Sequence, residues 1–86
     1  MYSIVYSSQS QKDAKKANKS GLRNSIEKII EILRKNPYQN PPPYEKLLGD
    51  LAGAYSRRIN LQHRLVYQVD ENSKIVKIIR MWTHYE

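Results

Sequence analysis

Three consecutive prolines, Pro41-Pro42-Pro43, divide this sequence into two stretches of different hydrophobic period. Proline lacks the amide donor that a helix interior or a central strand requires, so neither kind of element can run through the triplet. On its amino-terminal side, Leu22, Ile26, Ile29, Ile30 and Leu33 recur at helical spacing and form one apolar stripe. Ser20 is placed to cap that helix, Arg34 and Lys35 suit its negative end, and Pro37 stops it. On the carboxyl-terminal side, residues 55–61, 64–69 and 75–82 are rich in β-branched and aromatic side chains and read as strands. Asn60 to Gln62 can turn the first pair, and Asp70-Glu71-Asn72-Ser73 the second.

Before the helical stripe, Tyr2, Ile4 and Tyr6 alternate with Ser3 and Val5, as a short first strand requires. Residues 7–19 carry only Ala14 and Ala17 as apolar groups, and their Gln, Lys and Ala content favours a surface helix. Ser10 with Asp13 resembles a capping box at its start. A further helical turn is expected around residues 44–48. The resulting order is β-α-α-β-β-β: an α+β fold in which two helices pack on one face of an antiparallel sheet. With 86 residues, the chain from 1 to 86 is expected to be a single domain, and the prolines form a long loop within it.

The chain has fifteen Lys and Arg against eight Asp and Glu, a formal charge of +7. Such an excess favours polyanionic partners through counterion release: nucleic acid, an anionic membrane surface or an acidic protein. There is no cysteine, so neither disulfides nor thiolate metal sites are available. The first residues lack the basic start and apolar run of a signal peptide, and no stretch approaches the roughly 18 apolar residues of a membrane span. A cytoplasmic protein with no membrane partner is expected.

Several enzyme types are disfavoured. The glycines do not make a phosphate loop, and His63 and His84 lack both cysteine support and helical metal-ligand spacing. The acidic residues are scattered, so no metal site and no cofactor is expected. RNA can nevertheless be cut without a metal, because its own 2′-hydroxyl attacks the neighbouring phosphorus. The protein must then supply a base, a cation for the phosphorane and an acid for the leaving 5′-oxygen. Glu, Arg, His and base-stacking aromatics meet that need, although most proteins contain them.

A more specific pattern spans the carboxyl-terminal half. Tyr44-Glu45-Lys46-Leu47, then Tyr55-Ser56-Arg57-Arg58-Ile59, then His63-Arg64-Leu65-Val66-Tyr67 and finally Trp82-Thr83-His84-Tyr85 resemble the Txe/YoeB toxins of the RelE superfamily. Length, strand order and basic charge agree, and the resemblance is weakest over the first helix. It implies a RelE-like fold and a ribosome-dependent endoribonuclease, the toxin of a type II toxin–antitoxin pair. It also implies roles: Glu45 as general base, Arg64 neutralising the phosphorane, His84 as general acid and Tyr85 orienting the substrate. The implied products carry a 2′,3′-cyclic phosphate or 3′-phosphate and a 5′-hydroxyl. The implied partners are mRNA in the ribosomal decoding site, ribosomal RNA, a cognate acidic antitoxin of the YefM/Phd type and a second copy in a homodimer. Two features depart from the pattern: Glu86 follows Tyr85, adding negative charge beside the proposed acid, and Trp82 is a candidate for stacking on a base.

Each residue also has a structural reading. An isolated Glu beside a proline loop is ordinarily solvated, and an Arg in a strand is ordinarily a surface or ion-paired group. Arg57 and Arg58 alternate across a strand, so one faces solvent or RNA while the other is partly covered. His63 is expected to hold the turn before its strand. Lys12, Lys15, Lys16 and Lys19 form a solvated helix face that can also follow ribosomal RNA. A basic module that blocks translation without cleavage, or a surface built only to receive an antitoxin, accounts for the charge equally well.

Overall fold

The computed structural model describes residues 1–82. In chain order the elements are β1 (Ser3–Tyr6), α1 (Ser8–Lys19), α2 (Arg23–Lys35), β2 (Glu45–Lys46), a single 3-10 turn (Gly49–Leu51), β3 (Ala54–Arg58), β4 (Arg64–Asp70) and β5 (Ile75–Arg80). The five strands form one sheet in the order β1-β5-β4-β3-β2. β2 to β5 pair antiparallel, whereas β1 runs parallel to β5, so the sheet is mixed. A parallel pair needs a long crossover connection, and the helices and strands between β1 and β5 supply it. The expected helical turn at residues 44–48 is instead the edge strand β2 followed by the 3-10 turn. A two-residue strand has too little sequence for a period to show, and pairing with Tyr55 and Ser56 decides its shape.

The helix α1 begins one turn earlier than the Ser10–Asp13 pair indicated. Ser7 is its cap: the Ser10 amide donates to Ser7 Oγ at 3.0 Å, and that hydroxyl donates to the Ile79 carbonyl of β5 at 2.8 Å. Asp13 is thereby free for a different task. Ser20 does not cap α2; it closes α1, and Gly21, at φ 77°, lets the chain turn directly into α2. The stripe on α2 behaves as its spacing requires, with Ile26, Ile29, Ile30 and Leu33 buried. They meet Leu65, Tyr67, Val76 and Ile78 from the inner face of the sheet, together with Ala17, Ile59 and Met81. At roughly 1.5–3 kcal/mol for each fully buried aliphatic side chain, this layer is the main source of stability.

Two polar devices complete the scaffold. Asn60 Oδ1 accepts from the Gln62 and His63 amides at 2.9 and 2.7 Å, while the Ile59 amide donates to the His63 carbonyl. The turn before β4 is thus held by an Asn side chain and the His63 backbone. At the other end of the sheet, the hydroxyls of Tyr2 and Tyr38 and the Lys74 ammonium all donate to Glu71. The Tyr38 hydroxyl, then Lys74, hold the Glu71 carboxyl down at about 2.

Candidate functional site

Strand register sorts the β3 and β4 side chains onto two faces. Arg57, Leu65 and Tyr67 turn toward the helices, while Ser56, Arg58, Arg64 and Val66 share the opposite face, on which Ser56 and Val66 are buried and Arg58 is exposed. β2 adds Glu45 opposite Ser56, on that same face. The pairing therefore brings Glu45 to Arg64 across β3, at 3.4 Å between Oε1 and Nη1. The Glu45 side chain is 66% exposed and that of Arg64 only 17%. The arginine is held in place by the sheet and the carboxylate stays accessible to a ligand. Pro43, Tyr44, Glu45, Ser56, Arg58 and Arg64 line a recess of about 220 Å³ on this face. It joins one accessible carboxylate to two guanidinium groups, which can receive a phosphodiester and a hydroxyl proton together.

Arg57 is not part of this surface, contrary to its candidacy for RNA contact. It is 1% exposed, and its nitrogens donate to the Tyr67 hydroxyl and to the carbonyls of Pro37, Gln39 and Pro42. Its guanidinium carbon lies 4.9 Å from the Tyr44 ring centroid. Tyr55 is edge-on to Tyr38 and Tyr44 and tilted against Tyr67, closing an aromatic shell around it. Arg57 thus fastens the proline loop, and with it the approach to Glu45, to the sheet. Within this loop the Asn40–Pro41 and Pro41–Pro42 bonds are cis.

The other predicted residues fall in three places. Arg58 is exposed at the recess. Lys12, Lys15, Lys16 and Lys19 are exposed on α1, in the helix layer on the other side of the sheet. Trp82 lies against His63, ring centroids 3.8 Å apart and planes 20° apart, so one of its faces is covered by protein. His84 and Tyr85 lie outside the described residues. Sequence reasoning missed two groups. The Ser56 hydroxyl is buried beneath the recess with no hydrogen-bond partner among the described residues; its only signal was its place in the Ser-Arg-Arg run. Asp13 was read as a cap, and its buried position had no signal.

A larger recess, about 820 Å³, lies between the helices and is lined by Tyr6, Ala14, Lys15, Ile30, Arg34 and Met81 among others. Its lining mixes apolar side chains with polar ones and with charges of both signs. Among the described residues no group of His, Cys, Asp and Glu could hold a metal ion, and no helix is long and apolar enough to cross a membrane.

The sequence and the fold have counterparts. A model of the YoeB-like toxins of bacterial type II toxin–antitoxin systems matches residues 6–85. The chain belongs to this family. The toxin is 38% identical to Toxin YoeB of Escherichia coli O6:H1 over 60 residues, 70% of this chain and 69% of that one. Among solved structures it is similar to a YoeB/ParE toxin from Agrobacterium tumefaciens, with a TM-score of 0.87 and 28% identity over 96% of this chain and 99% of the other. It is also similar to the toxin of a YoeB–YefM complex from Staphylococcus aureus, with a TM-score of 0.81 and 34% identity over 99% of each chain. A dimer of YoeB from the same organism superposes with a TM-score of 0.80, at 32% identity and over 98% of each chain.

Proposed function

We propose that this toxin is a ribosome-dependent endoribonuclease that cleaves mRNA through the substrate's own 2′-hydroxyl. The observation that carries the reading is the Glu45–Arg64 pair, 3.4 Å apart in an open recess with Arg58 beside it. In the resting protein the guanidinium holds the carboxylate. An arriving phosphodiester competes for Arg64 with two oxygens of its own, and Glu45 is released toward the 2′-hydroxyl. Glu45 takes that proton as the 2′-oxygen attacks phosphorus, and Arg64 with Arg58 bears the charge that accumulates on the phosphorane oxygens. His84 gives a proton to the departing 5′-oxygen, and Tyr85 orients the strand. The products are a 2′,3′-cyclic phosphate, or the 3′-phosphate formed from it, and a 5′-hydroxyl.

The path of β5 supports a role for the last residues. Arg80 is opposite Val66, and Trp82, two residues further on, reaches His63, the neighbour of Arg64. Only one residue separates Trp82 from His84. The lysines of α1 follow ribosomal RNA, and the reaction takes place in the cytoplasm. The Staphylococcus aureus relatives were solved with YefM and as a dimer. By analogy an acidic YefM-like antitoxin restrains this toxin, and a second copy pairs with it.

The test is to map mRNA ends on programmed ribosomes with the parent, Arg64→Ala and His84→Ala. New ends bearing cyclic phosphate are expected from the parent, with rates lower by about 100-fold or more in each variant. Translation arrest with intact mRNA would replace cleavage by simple blocking of the ribosome.

A further inference from the structure

Asp13 has no part in the chemistry proposed above, yet it is the one buried carboxylate among the described residues, 1% exposed. Its Oδ2 accepts from Arg80 Nε at 2.9 Å and from the Met81 amide at 3.2 Å, and its Oδ1 accepts from Gln9 Nε2 at 3.0 Å. A carboxylate withdrawn from water is costly unless its oxygens are well bonded, and these bonds do more than fasten α1 to the sheet. Two of them end on Arg80 and Met81, the last residue of β5 and the first beyond it.

Two further observations concern the same few residues. The β4–β5 ladder slips between Val66 and Tyr67, pairing them with Arg80 and Ile78 and leaving Ile79 as a bulge. A bulge re-aims the chain that follows it, and here Asp13 holds the re-aimed residues. Immediately after them the Trp82 ring stacks on His63, which Asn60 anchors through its amide. The end of β5 is therefore tied at two successive points, once to α1 and once to the turn that begins the strand of Arg64.

We propose that Asp13 and the His63–Trp82 stack are positioning groups that set the direction of the chain as it leaves β5, as His84 and Tyr85 require in order to act with Glu45 and Arg64. The proposal rests on the nuclease reading for its consequence, although not for its geometry. It assigns Trp82 to the protein's own architecture and not to a base of the substrate. Small displacements of a reacting group can cost on the order of 100-fold in rate, so loss of either tie acts on turnover more than on binding.

The test compares Asp13→Asn, Asp13→Ala, Trp82→Phe and Trp82→Leu for cleavage on programmed ribosomes, thermal melting and fluorescence. Trp82 is the only tryptophan in the chain, so its emission reports the tie without a label. In Asp13→Ala and Trp82→Leu the maximal rate is expected to fall by about ten-fold or more with KM within about two-fold. Trp82→Phe, which keeps a ring for His63, recovers most of the rate, and Asp13→Asn, which keeps an acceptor for the Met81 amide, falls between. Emission in Asp13→Ala moves to longer wavelength as the indole loses its stack. Rates that fall only in proportion to the unfolded fraction, or a Trp82→Phe variant no better than Trp82→Leu, overturn the proposal. Should the parent leave mRNA intact, the nuclease reading falls, and emission still judges the tie: a shift in Asp13→Ala upholds it, and unchanged emission overturns it.

Discussion

Arg57 and Arg58 are adjacent, chemically identical and engaged in opposite tasks. Strand geometry sends one side chain into an aromatic shell and the other into solvent, and the difference sets what each can do. Arg57 satisfies three backbone carbonyls that the proline loop cannot pair within itself. Arg57→Ala is expected to lower stability by about 3 kcal/mol or more, because it leaves those carbonyls and the Tyr67 hydroxyl without their partner. Arg57→Lys should restore little of it, since an ammonium cannot span the same fork. Denaturant midpoints of the two variants check both statements. The alternation was legible in the sequence; which arginine went inside was not, because that depends on the register against β4.

At the scale of elements, the junction of α1 with β5 carries a pH signature. Burial by itself raises the Asp13 pKa, but hydrogen bonds from Gln9, Arg80 and the Met81 amide outweigh it and hold the carboxyl below its ordinary value of 3.8. A carboxyl lowered in the folded state contributes stability above the unfolded value and loses it as pH falls through the folded one. The parent should therefore melt above Asp13→Asn at neutral pH. The gap should close as the solution is acidified below about 3.8, which melting curves between about pH 7 and about pH 3 would show. Equal gaps at both ends would assign the difference to packing and not to charge. Helix α2 was legible because its stripe is strong and the prolines bound it. The edge strand β2 was not, since two residues take their shape from their partner.

Across the whole molecule, the α1 lysines and the Glu45–Arg64 recess occupy opposite layers. The recess with Glu45 and Arg64 lies on the sheet face away from the helices, and Lys12, Lys15, Lys16 and Lys19 project from the helix layer. A partner touching both must be large enough to reach around the domain, as a ribosome is. Replacing the four lysines by Gln should lower the slope of log affinity against log salt by up to about 4 for ribosome binding, and leave single-turnover cleavage of bound mRNA nearly unchanged. A fall in turnover with an unchanged slope would place the lysines at the reaction and not at the docking surface.

The sequence by itself determined the helix stripe, the strand segments, the turn residues and the family pattern. These depend on period, on backbone limits at proline and on residue identity along a local stretch. Tertiary structure alone decided the parallel pairing of β1 with β5, the burial of Arg57 and Asp13, and the meeting of Glu45 with Arg64. Each of those joins residues far apart in the chain, and such proximity is a property of strand order and register, which no local window contains.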